Sequence, residues 1–504
     1  MLSAVIAMTA LLRAAFGATS IDIRMDVRDG RTVIEGDSAV GKPATGIFFA
    51  EEGQVTFRTA DQSTCANLKV AGVSDESRDL PRGADGSFSL PDIGYYLISC
   101  ADGHGGFAAP APLALIRKPK PVSESGGTVL GVFGVTRDPA FYRALSIYWN
   151  RKFVELGAYQ KQGGKMSWTY PWTESKRSED EEWIKVATPI PEWLRPDFAK
   201  SDNGNKHAMY SPSHDDDFQS LVQTAVREDP TRTDYFEPLN EPETSWKETD
   251  QALVEYFAKS RRIIKSMDSN VAVLGPTLAT INLQRLKKLA DLGLFGQIDG
   301  VSVHAYGGGN PEKYLPEQLD GLRRIMDEHQ AAALPLFITE IGWTSEKGTW
   351  LPPVDEAAQA RYLVRALAIL AEYNPRAILA FCLYYENDNP GEAGFSMLRR
   401  DYRPKPSYVA FAQQTSWLAG AKPVPKGLMR TSEGDYVAYF TSPRGPFAMV
   451  WNATSAMHPL KSAAIHCSPE TIEDMWGRKI PAGKLLIGES PVYIRGCSDA
   501  RGNG

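Results

Sequence analysis

The sequence predicts an α/β protein: a (β/α)8 TIM barrel flanked by an N-terminal β-sandwich and a small C-terminal β-domain. Three observations predict it. Short strand-like runs without amphipathic helices fill residues 20–118. Apolar strands alternate with helical patterns from about 127 to 418, and the helical periodicity then gives way to strands again. The chain has 504 residues, 43% hydrophobic and 23% charged, an ordinary globular balance that excludes disorder and small disulfide scaffolds. At roughly 150 residues per domain the length fits three domains. A net charge of −6 without long like-sign runs argues against a nucleic-acid binder, which usually carries a basic stripe.

Taken in order, residues 1–18 form an apolar, small-residue start, and cleavage after Gly17 or Ala18 would suit a secretory signal. No later stretch reaches the ~18 apolar residues of a membrane span. Over 19–118, Ile21, Ile23, Met25 and Val27 alternate with polar residues, the period of a half-buried strand. Further short runs separated by Gly, Pro, Asp and Ser complete the pattern of a β-sandwich. Lys118-Pro119-Lys120-Pro121 opens a stiff linker over 119–126.

The barrel is expected over 127–418. Its strand candidates are 129–135, 165–170, 185–188, 235–239, 271–275, 300–304, 335–339 and 378–384. Eight strands with intervening helices suit a barrel of typically ~250 residues; the structural rival is a doubly wound open sheet. The clearest helix covers 356–373, with Asp355 able to cap it and Ala360, Val364, Leu367 and Ala371 on one face. Over 419–504, Tyr436–Phe440 and Phe447–Trp451 read as strands of the C-terminal β-domain.

The five cysteines fall as two local pairs, Cys65 with Cys100 and Cys467 with Cys497, plus Cys382 alone in an apolar run. Disulfides persist in oxidising compartments, which would support a secreted or periplasmic protein. The alternative is five reduced, buried thiols.

Two segments carry the chemistry. Tyr235-Phe236-Glu237-Pro238-Leu239-Asn240-Glu241-Pro242 is an apolar strand ending in Asn-Glu, and Leu336-Phe337-Ile338-Thr339-Glu340 is another ending in a glutamate. Barrel active sites lie at the C-terminal ends of the strands. Glu241 and Glu340 are 99 residues apart, three βα units at about 30 residues each, which puts them after the fourth and seventh strands. Either alone would read as a salt bridge or cap. Together across a barrel mouth, two carboxylates are the machinery of glycoside hydrolysis, one giving a proton and the other attacking the anomeric carbon.

Asn240-Glu241-Pro242 and Thr339-Glu340 resemble the two signatures of the clan A glycoside hydrolases. The resemblance covers the central ~290 residues and implies a retaining (β/α)8 enzyme. It implies Glu241 as acid/base, Glu340 as nucleophile and Asn240 as a donor to the sugar 2-hydroxyl. Val301-Ser302-Val303-His304-Ala305-Tyr306 resembles the clan's strand six and implies Tyr306 as a hydrogen-bond partner of the nucleophile; His304 either contacts the sugar or is a satisfied core histidine. Strand eight departs from the pattern: a Trp is usual there, whereas this chain has Phe381-Cys382-Leu383-Tyr384-Tyr385, with Tyr385 as a stacking floor. Strand two departs as well, since Lys165-Met166-Ser167-Trp168 lacks the Arg many members have. Within the clan the chain is most similar to glycoside hydrolase family 39 and relatives acting on exopolysaccharides. Thr188-Pro189 with Glu192-Trp193-Leu194, Glu340–Trp343 before Gln359-Ala360-Arg361, and Gly394–Leu398 leading to Lys405–Tyr408 carry that similarity.

Trp168, Trp172, Trp193, Trp246 and Trp343 fall at or after predicted strand ends, where indole faces could stack on sugars or pack under loops. Gly36–Lys42 imitates a phosphate-binding loop, but Pro43 stands where Ser or Thr should bind magnesium, so it reads as a turn. His214-Asp215-Asp216-Asp217 reads as a helix start rather than a metal site. No motif implies a cofactor or metal. The expected partner is a polysaccharide or oligosaccharide, with no nucleic acid and no membrane span. A transglycosidase using the same residues and a non-catalytic carbohydrate-binding protein are the rivals.

Overall fold

The computed structural model describes residues 19–497, except 43–44, 52, 54, 60–64, 66, 74, 134–138, 148, 156–159, 163–164, 168–180, 189–193, 195–213, 228–232, 247, 386–389, 425–427, 455, 461–464 and 466. The expected leader, residues 1–18, lies outside them.

A closed parallel barrel occupies the centre. Its strands are β1 (Leu130–Phe133), β2 (Trp149–Glu155), β3 (Glu182–Thr188), β4 (Tyr235–Glu237), β5 (Ala272–Leu278), β6 (Gly300–His304), β7 (Leu336–Ile341) and β8 (Ala377–Phe381). The expected barrel is present, and closure removes the open-sheet rival. One strand assignment is corrected: the second strand is Trp149–Glu155, whereas Lys165–Ser167 forms a two-stranded hairpin with Gln160–Gln162. Seven of the predicted strands overlap barrel strands, so Glu241 follows β4 and Glu340 ends β7.

Side chains fill the barrel in layers, as its geometry requires. Trp149, Ile184, Leu274, Phe337 and Leu379 pack together with Tyr235 in a lower apolar layer. Two residues further along β2 and β4, the strand period brings Arg151 and Glu237 inward above that layer. The helix Glu356–Glu372 follows β7 as expected, with Asp355 accepting the Ala358 N–H at 2.7 Å.

The N-terminal region is two sheets. One contains Thr19–Arg28, Arg31–Gly36, Val55–Thr59 and Phe88–Leu90; the other contains Ile47–Phe49, Leu68–Ala71, Arg78–Leu80, Gly94–Cys100 and Ala111–Ile116. Met25, Ile34 and Phe57 of the first sheet share a core with Phe48, Ile98 and Leu113 of the second, which makes a sandwich. Ser38 accepts the Lys42 N–H and donates to its carbonyl, so the loop-like Gly36–Lys42 segment is a turn. Cys65–Cys100 and Cys467–Cys497 are disulfides, and Cys382 is free and buried.

The C-terminal sheet uses both faces. Ala438, Phe440, Met449 and Trp451 join the barrel's outer core, while Val437, Tyr439, Ala448 and Val450 line a separate cluster behind; alternation along the strands sorts them. Trp451 donates its indole N–H to Glu312 at 2.7 Å, and Arg365 of the helix after β7 pairs with that carboxylate at 2.8 Å. The two β-regions also touch, through Arg478 to Asp75 at 3.1 Å and the Lys479 N–H to Asp92 at 3.0 Å. Among the described residues, no helix is long and apolar enough to cross a membrane.

Candidate active site

The site lies where β2, β4, β6 and β7 end. Glu340 is 4% exposed and sits on the last turn of pleat before Ile341 closes β7. Gly342 follows it because a Cβ there would stand 2.2 Å from the Phe381 carbonyl. Glu241 takes a left-handed backbone, φ 45° and ψ 72°, and its N–H donates to the Thr277 carbonyl at 3.1 Å. A non-glycine residue in this region costs roughly 1–2 kcal/mol, held here by Pro242 entering the next helix and by the neighbouring strand.

Glu340 is gripped on both oxygens. Arg151 Nη1 donates to Oε1 at 2.5 Å, and the Tyr306 hydroxyl donates to Oε2 at 2.8 Å. His304 Nδ1 lies 3.0 Å from Glu241 Oε1 and 3.6 Å from Glu340 Oε2. A ring nitrogen facing two carboxylates carries the proton. Glu241, His304 and Glu340 each bring one polar atom within 4.8 Å of the others. Such a trio meets the distance requirement of a cation site, yet the guanidinium already bonded to Glu340 places a fixed positive charge there.

Burial lifts the Glu340 carboxyl above its ordinary value, and Glu241 adds to the rise; His304, Arg151 and the Tyr306 hydroxyl pull it back toward the anion. Burial works against a charged His304, but Glu340 and Glu241 raise its pKa above the ordinary value nonetheless. Tyr306 is pushed well above its usual range by burial and by the same two carboxylates, so it stays a donor.

Arg151 is the residue that the sequence reading missed. Its three nitrogens reach Glu237 at 2.6 Å, Glu340 at 2.5 Å and Asn240 Oδ1 at 2.8 Å. Its guanidinium also faces the rings of Phe133 and Phe153. The missing strand-two arginine is therefore present, 14 positions before the hairpin strand first read as strand two. An Arg between the apolar Trp149 and Phe153 was the available signal. Glu237 was also passed over, although it alternates inward on the same strand that leads to Asn240 and Glu241.

The other expected residues divide. Glu241, Glu340, Asn240, His304 and Tyr306 converge. Tyr385 stands near them, its ring 5.9 Å from Phe381, which stacks on Phe133 and meets Tyr306 edge-on. Trp343 is corrected: it is 2% exposed, donates to the Gly309 carbonyl at 3.0 Å and packs on Tyr362, so its face is closed to a sugar. Trp246 packs against Tyr256 and donates to Thr249. Trp168, Trp172 and Trp193 lie outside the described residues. His214 contacts Asp217 at the start of the helix Asp215–Arg227. Gln359 and Lys405 knit the loop after Glu340: Gln359 donates to the Trp343 and Gly394 carbonyls, and Lys405 to Ser345 and Gly394.

No protein-family model matches the chain, and no curated protein matches it. Solved structures do. A family 39 glycoside hydrolase from the gut symbiont Bacteroides cellulosilyticus WH2 is similar over 89% of this chain and 98% of its own, with TM-score 0.66 and 16% identity. The chain shares the fold of that enzyme. The catalytic domain of a GH30 xylanase C from Talaromyces cellulolyticus matches with TM-score 0.52 and 11% identity, over 73% of this chain and 96% of its own. A GH30 endoxylanase from Clostridium papyrosolvens C71 gives TM-score 0.50 and 12% identity over 73% and 96%. The first of these extends beyond the barrel into the flanking β-regions of this chain, since it covers 89% of it.

Proposed function

We propose that the protein is a retaining glycoside hydrolase acting on a polysaccharide or oligosaccharide by double displacement. The observation that carries the reading is the approach of one oxygen of Glu241, just after β4, and one of Glu340, on β7, to within 4.8 Å. Retaining enzymes hold their carboxyl groups about 5–5.5 Å apart, whereas inverting ones leave roughly 6.5–9.5 Å for a water.

Glu340 attacks the anomeric carbon while Glu241 protonates the departing glycosidic oxygen. Glu241 then takes a proton from water, whose oxygen attacks the same carbon and releases Glu340. At this separation two anions would repel by about 3–4 kcal/mol at an effective dielectric near 20, so the pair favours a single proton. Arg151, bonded to Glu340 alone of the two, favours leaving the charge on Glu340 and the proton on Glu241. Glycosylation removes that charge, and Glu241 can then release its proton and act as base. Asn240, oriented by Arg151, presents its amide to the 2-hydroxyl. Tyr306 bonds the nucleophile, and His304 links the two carboxylates.

The two disulfides support an oxidising location, secreted or periplasmic. The units we propose follow the sheets: a sandwich to about 118, a barrel over 127–418 and a C-terminal β-domain from 419.

The test is incubation with plant and bacterial polysaccharides beside Glu340→Ala, with products read by mass spectrometry and their fresh anomeric configuration by NMR. Glutamate-dependent products of retained configuration are expected; inverted products, or undiminished turnover by the variant, would reject the mechanism.

A further inference from the structure

Among the described residues four large apolar side chains are exposed, and Trp350 at 68% is the most exposed of them. A lone exposed apolar side chain is ordinary by itself. Its place is more informative than its exposure. The ring meets Tyr306 edge-on, centroids 6.1 Å apart and planes at 81°, and Tyr306 is the residue whose hydroxyl bonds Glu340 at 2.8 Å. One aromatic ring therefore separates Trp350 from the group that touches the nucleophile.

The loop holding it is built rather than loose. Leu351, next in the chain, is 4% exposed and packs with Tyr306, Phe133 and Phe395. Thr344 donates to the Gly391 carbonyl at 2.7 Å and accepts the Val354 N–H at its own carbonyl at 2.9 Å. The backbone at Gly348–Thr349 comes so near Gly391 that a Cβ there would lie 2.5 Å away. Thr349 Oγ1 donates to the Leu351 carbonyl across Trp350. A rigid loop that keeps an indole in solvent beside a reaction centre has already met the ordering cost of binding.

We propose that Trp350 is the stacking platform of a second sugar subsite, taking a pyranose unit next to the one that reacts at Glu340. The inference rests on the glycosidase reading and deepens it. Because Tyr306 lies between Trp350 and Glu340, a ring on the indole is a neighbour of the reacting unit and not that unit itself. The substrate is then a chain of sugars rather than a single glycoside. Its stacked unit offers an axial C–H face to the negative face of the indole, and its hydroxyls stay in water at the rim.

The experiment compares Trp350→Ala and Trp350→Phe, each in the wild-type and Glu340→Ala backgrounds. Binding is read by affinity electrophoresis in gels holding xylan, β-glucan, galactomannan or a bacterial exopolysaccharide; turnover is read on the same polymers. Trp350→Ala should weaken polymer binding by about tenfold, in KM far more than in kcat, and Trp350→Phe should restore most of the loss. Unchanged affinity for a polymer that the enzyme cleaves would overturn the subsite and leave the hydrolase reading standing. Trp350-dependent binding without any cleavage would support the subsite and reject the hydrolase reading. No binding to any polymer would reject both. A wild-type dimer that Trp350→Ala turns into a monomer would assign the ring to a protein interface instead.

Discussion

Arg151 and Glu340, 189 positions apart in the chain, meet at 2.5 Å inside the barrel, both almost wholly buried. The same guanidinium is shared with Glu237 at 2.6 Å. Removing one member of a buried ion pair costs about 3–5 kcal/mol because the other is left uncompensated. Arg151→Met should therefore lower the melting temperature, and should also slow turnover by about a hundredfold or more, the scale of losing one preorganised electrostatic donor.

Two variants should move the acid limb of the pH–rate profile in opposite directions. As the proposed nucleophile Glu340 must be ionised to attack, so activity should fall as pH drops through its pKa, which burial has raised above the ordinary carboxylate value. Glu237→Gln leaves Glu340 as the one carboxylate bonded to Arg151, and the limb should move to lower pH. Tyr306→Phe removes a hydrogen bond that favours the anion, and the limb should move to higher pH. Profiles of kcat/KM for the three proteins check this; parallel shifts would dismiss the shared-guanidinium account.

Chemical rescue separates the two glutamates. Azide added to Glu340→Ala should restore turnover with an inverted glycosyl azide, since a small anion fills the space of the lost nucleophile. Azide added to Glu241→Ala should give the retained product, because the covalent intermediate still forms and azide resolves it. NMR of the azide adducts distinguishes these outcomes: the reversed pattern would exchange the roles, and the same configuration from both variants would void them.

Glu372 predicts a pH-dependent stability unrelated to catalysis. Burial against the C-terminal sheet lifts its carboxyl to about 8, with the Tyr439 backbone offsetting part of the rise. A raised carboxyl favours folding while it is protonated. The contribution is complete below the unfolded value near 4.5 and is lost as pH rises through about 8. With about 1.4 kcal/mol per pKa unit, the cost above pH 8 is on the order of a few kcal/mol. Glu372→Gln should raise the melting temperature at pH 9 and change it little at pH 4.5.

The disulfides close loops of 35 and 30 residues, each worth roughly 3–4 kcal/mol through the unfolded chain. Scanning calorimetry with and without reductant should show a lowered transition, and the Cys65→Ser/Cys100→Ser variant should reproduce the part owed to the sandwich.

Much of this architecture was legible because it obeys burial periodicity. The strands bearing Glu241 and Glu340 are apolar up to their polar ends, and the helix 356–372 announces itself with Asp355 and a run of alanines. Strand two was not legible for a physical reason. Asn150 and Arg151 are both fully buried, so the strand reads as polar, and Met166-Ser167-Trp168 downstream looked the better candidate. Arg151 is tolerated inside because Glu237, Asn240 and Glu340 arrive from two other strands, information that no local window contains. Trp343 failed in the opposite sense: its position after Glu340 suggested a sugar contact, but Gly309 and Tyr362 close over it.

The indole of Trp451, held by Glu312 and backed by Arg365, bears on how this gene could be recombined. A barrel ending at residue 418 would keep a buried carboxylate and its arginine while losing the donor and the apolar sheet face that cover them. The module most tempting to exchange is thus stitched to the segment after β6, the strand that leads to Tyr306. A grafted C-terminal sheet would be accepted only if it brought its own tryptophan to Glu312, or if the acid and the arginine were replaced with it. Shuffling at this junction is a three-residue transaction rather than a cut between independent parts.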